Sequence, residues 1–250
     1  MGGYFPTFHY PAILKEWNID SVVLGEGDLT IVQLARSVLR NQEDWKNIPG
    51  LAYNSKGKII ANNRPRLTPL EILPHPARDN LSQVKEQYES FGAIVTTSRG
   101  CPYSCSFCQI SKFYQEGGKP TRRVRKLEDV ADELSELKQE FAPDWFFFGD
   151  DVFIGPRRED KKYARQLAKL ITEAGIGIPF YFMTRVETVE RTLFSELKEA
   201  GLFRVQLGVE SFVDSQLRRY RKSTTRRKNL EAIQTLKSLG ITPEIFYDTF

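Results

Sequence analysis

The chain has 250 residues, of which 40% are hydrophobic and 12% aromatic, enough to bury one large domain or one plus a small one; a disordered chain is excluded. Its 36 basic and 32 acidic residues leave a formal net charge of +4, too mild by itself to argue for nucleic acid. The longest apolar runs, Trp145 to Phe148 and Ile176 to Met183 (interrupted by Gly177 and Pro179), are far short of a membrane span, and the N-terminus lacks the charged-then-apolar order of a secretion signal.

Met1-Gly2 does not begin a myristoylation motif, because Pro6 stands where Ser or Thr is required, so the cytoplasm is the expected compartment. Residues 1–80 read as the end of an α/β unit with a small appendage. Ser21 to Leu24 is a short buried strand, and Gly25-Glu26-Gly27-Asp28 turns into an amphipathic helix carrying Ile31, Leu34, Ala35, Val38 and Leu39. Leu51 to Tyr53 and Lys58 to Ala61 flank Asn54-Ser55-Lys56-Gly57 as a hairpin whose glycine supplies the positive φ of the loop. Pro65, Pro69, Pro74 and Pro76 mark an extended linker into residues 81–250.

All three cysteines then fall within eight residues, Cys101-Pro102-Tyr103-Ser104-Cys105-Ser106-Phe107-Cys108. An odd count at such short spacing suits neither strain-free disulfides nor a secreted framework, so a metal site is the chemical reason for the cluster. Structural zinc would close its tetrahedron with a fourth ligand, yet the only histidines, His9 and His75, are distant in sequence. A 4Fe-4S cube held by three thiolates leaves one iron open to a substrate.

From about residue 93 the sequence repeats apolar strand, polar loop and amphipathic helix. Strands are expected at Ala93 to Thr97, Trp145 to Phe148, Pro179 to Phe182, Arg204 to Gly208 and Glu244 to Tyr247. Between them lie helices with apolar faces at Leu127, Val130, Leu134, Leu137, Phe141; at Tyr163, Leu167, Leu170, Ile171; at Leu193, Leu197, Ala200; and at Leu230, Ile233, Leu236, Leu239. Gly175, Gly201 and Gly240 stand where left-handed caps end three of them. Such alternation means parallel strands with right-handed crossovers, in a barrel or an open α/β sheet. Reactive groups of parallel barrels collect at the C-terminal ends of the strands, and there the sequence places Arg99 and the cysteines, Asp150 and Asp151, Thr184 and Arg185, Glu210 and Ser211, and Asp248. Two basic runs, Arg122, Arg123, Arg125, Lys126 and Arg218, Arg219, Arg221, Lys222, Arg226, Arg227, Lys228, read as solvated helix ends or as sites for an anionic substrate or partner.

The run CPYSCSFC, preceded by Val95 to Gly100, resembles the C-x3-C-x-aromatic-C signature of radical S-adenosylmethionine (SAM) enzymes. The resemblance implies a partial parallel (β/α) barrel over residues 81–250, with Cys101, Cys105 and Cys108 binding a 4Fe-4S cluster and Phe107 beside the adenine of SAM. It further implies that Gly149, Asp150 and Asp151 stand in place of the family's Gly-Gly-Glu-type motif near the SAM amino group. Leu207-Gly208-Val209-Glu210-Ser211 looks like the strand whose Glu210 and Ser211 approach the ribose and methionine, and Arg185 like a strand-end arginine at the same cofactor. Gly2-Gly3, Asp20 to Asp28, Ile48 to Tyr53 and Leu73 to Asp79 resemble the tail of the Rossmann-like cobalamin-binding domain of the cobalamin (B12) branch, with Gly2 and Gly3 near the nucleotide tail.

That family implies reductive cleavage of SAM to a 5′-deoxyadenosyl radical, an external electron donor such as flavodoxin or ferredoxin, and, in the cobalamin branch, methyl transfer to an unknown small-molecule or anionic substrate. Two departures matter. Neither His9 (after Thr7) nor His75 (after Leu73) completes the branch's Asp-x-His-x-x-Gly motif, and the Gly-x-Ile-x-Gly-x-x-Glu-type contribution is not recognisable in Ile241 to Phe250. The chain is therefore expected to be truncated at both ends relative to typical relatives. The rival readings are a non-catalytic cluster-bearing scaffold and an RNA-modifying, methylthiotransferase-like enzyme, for which no appended RNA-binding module is visible.

Overall fold

A computed structural model describes residues 1–41 and 44–247. The backbone separates into two compact units, one formed by Met1–Leu73 with Gln109–Thr121 and the other by Pro74–Cys108 with Arg122–Phe250.

In the first unit, α1 (Tyr4–Glu16) is a helix that the sequence reading did not anticipate, since Pro6 and Pro11 argue against one. Pro6 lies in the first turn, where no intrahelical partner is missed, and Pro11 forfeits a single internal bond. The helix is retained because Ile13 and Leu14 bury against Val22 and Leu24 of the following strand region. The buried Thr7 hydroxyl also joins two segments, donating to Gly3 O at 2.7 Å and accepting from Gly25 N at 2.9 Å.

Strand β1 (Ser21–Val23) lies between Met1, which it meets through Met1 N to Ser21 O (3.0 Å) and Val23 N to Met1 O (2.8 Å), and β2 (Leu51–Ser55), with which it is antiparallel. Strand β3 (Lys58–Ala61) completes the three-stranded order β1-β2-β3. The expected hairpin is present with a tighter loop: Lys56 (φ 51°) and Gly57 (φ 84°) both take positive φ, and Gly57 N donates to Asn54 Oδ1 at 2.9 Å. Helix α2 (Asp28–Leu39) forms as expected, but Ile31, Val38 and Leu39 of its apolar stripe are exposed, and Thr30 is its one buried residue. Amphipathic spacing specifies the stripe and says nothing about what lies over it.

The second unit is built on a five-stranded parallel sheet of consecutive order: β4 (Gly92–Val95), β5 (Trp145–Phe148), β6 (Phe180–Arg185), β7 (Leu202–Glu210) and β8 (Thr242–Tyr247). This is the expected wall of a radical SAM-type β/α barrel, with each crossover helical. A short α3 (Leu81–Gln87) precedes it; α4 (Leu127–Glu140), α5 (Arg158–Glu173), α6 (Arg191–Glu199), α7 (Asp214–Arg219) and α8 (Arg226–Ser238) fill the connections. The anticipated apolar faces form the core: Val130, Leu134 and Leu137, Leu167 and Ile171, Leu193 and Leu197, Ile233 and Leu236 are buried with Phe146, Phe148, Phe180 and Phe182 of the strands. Each such side chain is worth about 1.5–3 kcal/mol of burial. Leu230 is the exception, 41% exposed on the outer face of α8. Gly175 (φ 58°), Gly201 (φ 112°) and Gly240 (φ 67°) take the positive φ expected where three helices end.

In the first basic run Lys126 alone is exposed, while Arg122 and Arg125 are taken up by internal partners. Arg122, buried, donates to Asp160 Oδ1 (2.9 Å), Val152 O (3.1 Å) and Phe153 O (2.6 Å). Arg125 binds Asp129 (2.7 Å), Glu133 and Thr96 O (2.9 Å). The loop carrying these arginines pairs with the segment before the cysteines, Ser98 opposite Val124 and Arg99 opposite Arg123.

Candidate functional site

The cysteine loop springs from the C-terminal end of β4, and the ends of the neighbouring strands hold it. Gly149, directly after β5, donates to Val95 O at 2.9 Å; a Cβ there would come within 2.8 Å of Ile94 Cγ2, so a side chain would force Ile94 to shift. The next two residues hold the loop itself. Asp150 accepts from Thr97 N (3.2 Å), Thr97 Oγ1 (2.8 Å) and Ser98 Oγ, while Asp151 accepts from Gly100 N at 2.7 Å. Burial pushes the Asp150 carboxyl above the usual carboxylate range, against the opposing pull of Ser98, Arg122 and Thr97. Gly100 has φ 90°, a conformation that lets the chain turn sharply into Cys101.

Downstream, Cys108 N donates to Cys105 O at 3.2 Å, closing a turn between the second and third cysteines. Ser106 ties that turn to α7: its N–H reaches Tyr220 O (3.0 Å) and its hydroxyl Arg219 O (2.9 Å). Phe107 is 46% exposed and meets Tyr220 edge-on, ring centroids 5.1 Å apart.

No disulfide joins the three thiols, which are partly buried. Burial, chiefly, pushes the Cys101 thiol up to about 11, with Cys108 and Cys105 adding repulsion and the Tyr103 amide and Arg185 opposing. Arg185, at the end of β6, brings its guanidinium to 2.9 Å from Cys105 Sγ, to 2.6 Å from Glu187 and to 4.0 Å from the centre of the Tyr103 ring. Burial works against its charge, but Glu187, Cys105 and Tyr103 more than offset that and hold the guanidinium protonated. Glu187 and Tyr103 escaped the sequence reading; an arginine two residues before a glutamate in one strand end carries no signal by itself.

On the far side, Glu210 ends β7 with φ 62° and pairs with the buried Lys222 at 3.1 Å, whose Nζ also donates to Gly208 O at 2.8 Å. Ser211 is buried; its hydroxyl accepts from Val213 N (3.1 Å) and its carbonyl from Asn229 Nδ2 (2.9 Å), while Asn229 Oδ1 accepts from the Thr224 hydroxyl (2.8 Å). Lys222 thus belongs to the strand-end network rather than to a basic surface, and Asn229 is a further member that sequence reading missed. Asp248, the fifth strand-end residue, lies outside the described residues. Gly2 and Gly3 are in the first unit, where Gly3 (φ 98°) caps α1 and Gly2 lies beside Val23.

The donor chemistry fits a polynuclear cluster better than a single ion. A mononuclear zinc site gathers its sulfurs about 2.3 Å from one metal. Among the described residues, no three His, Cys, Asp or Glu side chains approach closely enough to hold one ion. Three thiol donors on one loop, with no oxygen or imidazole ligand beside them among the described residues, suit an iron–sulfur cluster.

The sequence profile of the radical SAM superfamily matches residues 95–249. The chain belongs to that superfamily. Members of the radical SAM superfamily use a 4Fe-4S cluster and SAM, the two groups that CPYSCSFC had implied. The chain is 33% identical over 245 residues to an uncharacterized methyltransferase of Pyrococcus horikoshii, covering 96% of this chain and 51% of the relative. It is 32% identical to an anaerobic magnesium-protoporphyrin IX monomethyl ester cyclase of Rubrivivax gelatinosus, covering 98% and 44%. It therefore spans about half the length of the curated relatives it matches. Among solved structures, the cobalamin-dependent radical SAM enzyme OxsB shares the fold with TM-score 0.84 at 22% identity, over 98% of this chain and 35% of that one. The radical SAM methyltransferase TsrM of Kitasatospora setae matches with TM-score 0.75 at 17% identity, over 98% and 48%. Among the described residues no helix is long and apolar enough to cross a membrane.

Proposed function

We propose that this chain is the SAM-cleaving part of a cytoplasmic radical SAM enzyme, with Cys101, Cys105 and Cys108 as the ligands of its 4Fe-4S cluster. The observation that carries this reading is the cysteine loop itself, with three thiols outside any disulfide on eight residues tied by hydrogen bonds to the ends of β4, β5 and α7. When bound, the cluster supplies the electron that breaks the sulfur–C5′ bond of SAM and yields a 5′-deoxyadenosyl radical, which takes hydrogen from the substrate.

The chain's own residues position and neutralise. Asp150 and Asp151 fix the direction in which the loop leaves β4. Arg185 offsets thiolate charge at Cys105 and keeps that sulfur oriented. Glu210, with Lys222 as its counterion, and Ser211 present polar groups at the end of β7, where we place the ribose and methionine of SAM. Phe107, exposed on the loop, offers a ring face for adenine. Gly149 leaves the β4–β5 edge open to the SAM amino group.

The names of the relatives point to methyl transfer or ring formation on a cobalamin-dependent enzyme, and we assign residues 1–80 to the tail of a cobalamin-binding domain, with Gly2 and Gly3 at the nucleotide tail. Anaerobic reconstitution with iron and sulfide, followed by assay for 5′-deoxyadenosine under reductant, tests the core proposal. We expect about four irons per chain and reductant-dependent SAM cleavage, both lost in Cys105→Ser. A fully loaded cluster that leaves SAM intact would replace the enzyme reading with that of a cluster-bearing scaffold.

A further inference from the structure

The segment that clasps the cysteine loop is also the most basic exposed stretch of the second unit. Arg218, Arg219, Arg221, Arg226 and Lys228 are all exposed, and none makes an ion pair among the described residues. Two acidic side chains stand beside them: Asp214 is engaged by Arg226 N at 2.7 Å, and Glu231 pairs with Arg227 at 3.1 Å. With Arg227 counted, six exposed cations against these two carboxylates leave the patch a formal excess of four positive charges.

Its position distinguishes it from an ordinary solvated face. The carbonyls of Arg219 and Tyr220 accept the hydroxyl and the amide of Ser106, which lies between Cys105 and Cys108. Arg219 is therefore itself a contact of the cysteine loop, and Arg218 and Arg221 flank that contact in the chain. Lys222, the one cation of the run that serves the strand ends, is turned inward to Glu210, so the outward charges have no part in that network.

We propose that this patch docks an acidic one-electron donor protein and that Ser106 with the Arg219–Tyr220 backbone forms the short path from donor to cluster. The inference rests on the cluster reading above. Electrostatic steering between opposed patches raises association rates by about 10–10³-fold at low salt, and the gain disappears once the Debye length falls below the charge separation. A protein donor that must collide with this one face in the right orientation gains from such steering; a small reductant that diffuses to the partly buried loop does not.

The test uses the full chain and an acidic flavodoxin as probe. In the loaded protein, Arg218→Glu with Arg226→Glu and Lys228→Glu should slow cluster reduction by flavodoxin hydroquinone at least tenfold at low salt, followed by the loss of cluster absorbance. Reduction by dithionite should stay within twofold, and raising salt should bring the wild type down to the variant's rate. Equal rates for variant and wild type, or a wild-type rate indifferent to salt, would overturn the proposal. Calorimetric binding of oxidised flavodoxin to the chain before cluster loading gives a readout independent of the cluster. There the variant should bind at least tenfold more weakly, and equal affinity again rejects the patch, whereas a chain that binds flavodoxin but takes up no iron refutes the cluster reading alone. If single-stranded RNA binds in a salt-dependent way that the variant loses while flavodoxin affinity is unchanged, the patch serves nucleic acid instead.

Discussion

Two basic runs that look alike in sequence have opposite fates. Arg122 and Arg125 are drawn inward by Asp160, Asp129 and Glu133, whereas Arg218, Arg219, Arg221, Arg226 and Lys228 stay outside around a single buried member, Lys222. The difference lies in what each run is attached to. The first follows a chain segment paired to Ser98 and Arg99, so its side chains lie against α4, α5 and their carboxylates; the second spans a helix end and a loop at the surface. A charge run is therefore a structural strut or a recognition surface according to the carboxylates that tertiary contacts bring to it.

The sharpest way to break the comparison is at Arg122. Its side chain and that of Asp160 are 2% and 3% exposed; Asp160 keeps Arg157 as a second partner at 3.2 Å, but Arg122→Ala leaves Val152 O and Phe153 O without their charged donor and should cost about 2–3 kcal/mol in urea denaturation. The double change Arg122→Met, Asp160→Leu should recover little of it, because Asp160 also accepts from the Arg157 amide at the start of α5 and pairs with its guanidinium. Lys222→Ala, which leaves Glu210 and Gly208 O without their donor, should cost about 2–3 kcal/mol by the same measurement, with Glu210→Gln restoring part.

Arg185 tests the site rather than the fold. Arg185→Gln removes a charged donor from Cys105 Sγ and should lower the midpoint potential of the reconstituted cluster, read by EPR-monitored titration, while iron content stays unchanged. An unaltered potential would reduce Arg185 to an ion pair with Glu187.

His75 offers a smaller, pH-dependent effect. It lies between Glu136 (2.8 Å) and Asp129 (3.1 Å); burial opposes its charge, but the two hydrogen bonds and nearby carboxylates hold its pKa above the ordinary value. A raised folded-state pKa stabilises the protein fully below the unfolded value of about 6.5 and loses that contribution as pH climbs through the folded value. His75→Ala should then cost under about 1 kcal/mol at pH 5.5, the pair being partly screened, and close to nothing at pH 9. At the bottom of the scale, Arg227→Ala breaks an exposed pair with Glu231 and should change stability by less than about 0.5 kcal/mol.

Legibility followed the range of the interactions. Strand and helix positions after residue 92 could be read because periodicity is local: β5 was placed at its observed bounds, and the others differed at their ends by one to three residues. Helix α1 was missed because two prolines argue locally against it, and its burial against β1 and β2 is a nonlocal gain. The grouping of Gln109–Thr121 with the first unit had no sequence signal; it rests on contacts such as Arg64 Nη2 to Phe113 O at 2.5 Å, across 49 residues. At the strand ends, Asp150 and Asp151 were legible as polar positions, yet their binding to Thr97, Ser98 and Gly100 was not.

The sequence by itself determined the chemistry available: three thiols at C-x3-C-x2-C spacing, in an alternation of strand and helix that admits only parallel strands, because both follow from covalent spacing and side-chain period. Tertiary structure decided which charges serve which purpose. It turned Asp150 and Lys222 inward as supports and aimed Arg185 at Cys105. It also left five cations facing solvent beside the cysteine loop, because a partner 50 or 80 residues away is chosen by packing and by the cost of burying an unpaired charge, neither of which any local stretch encodes.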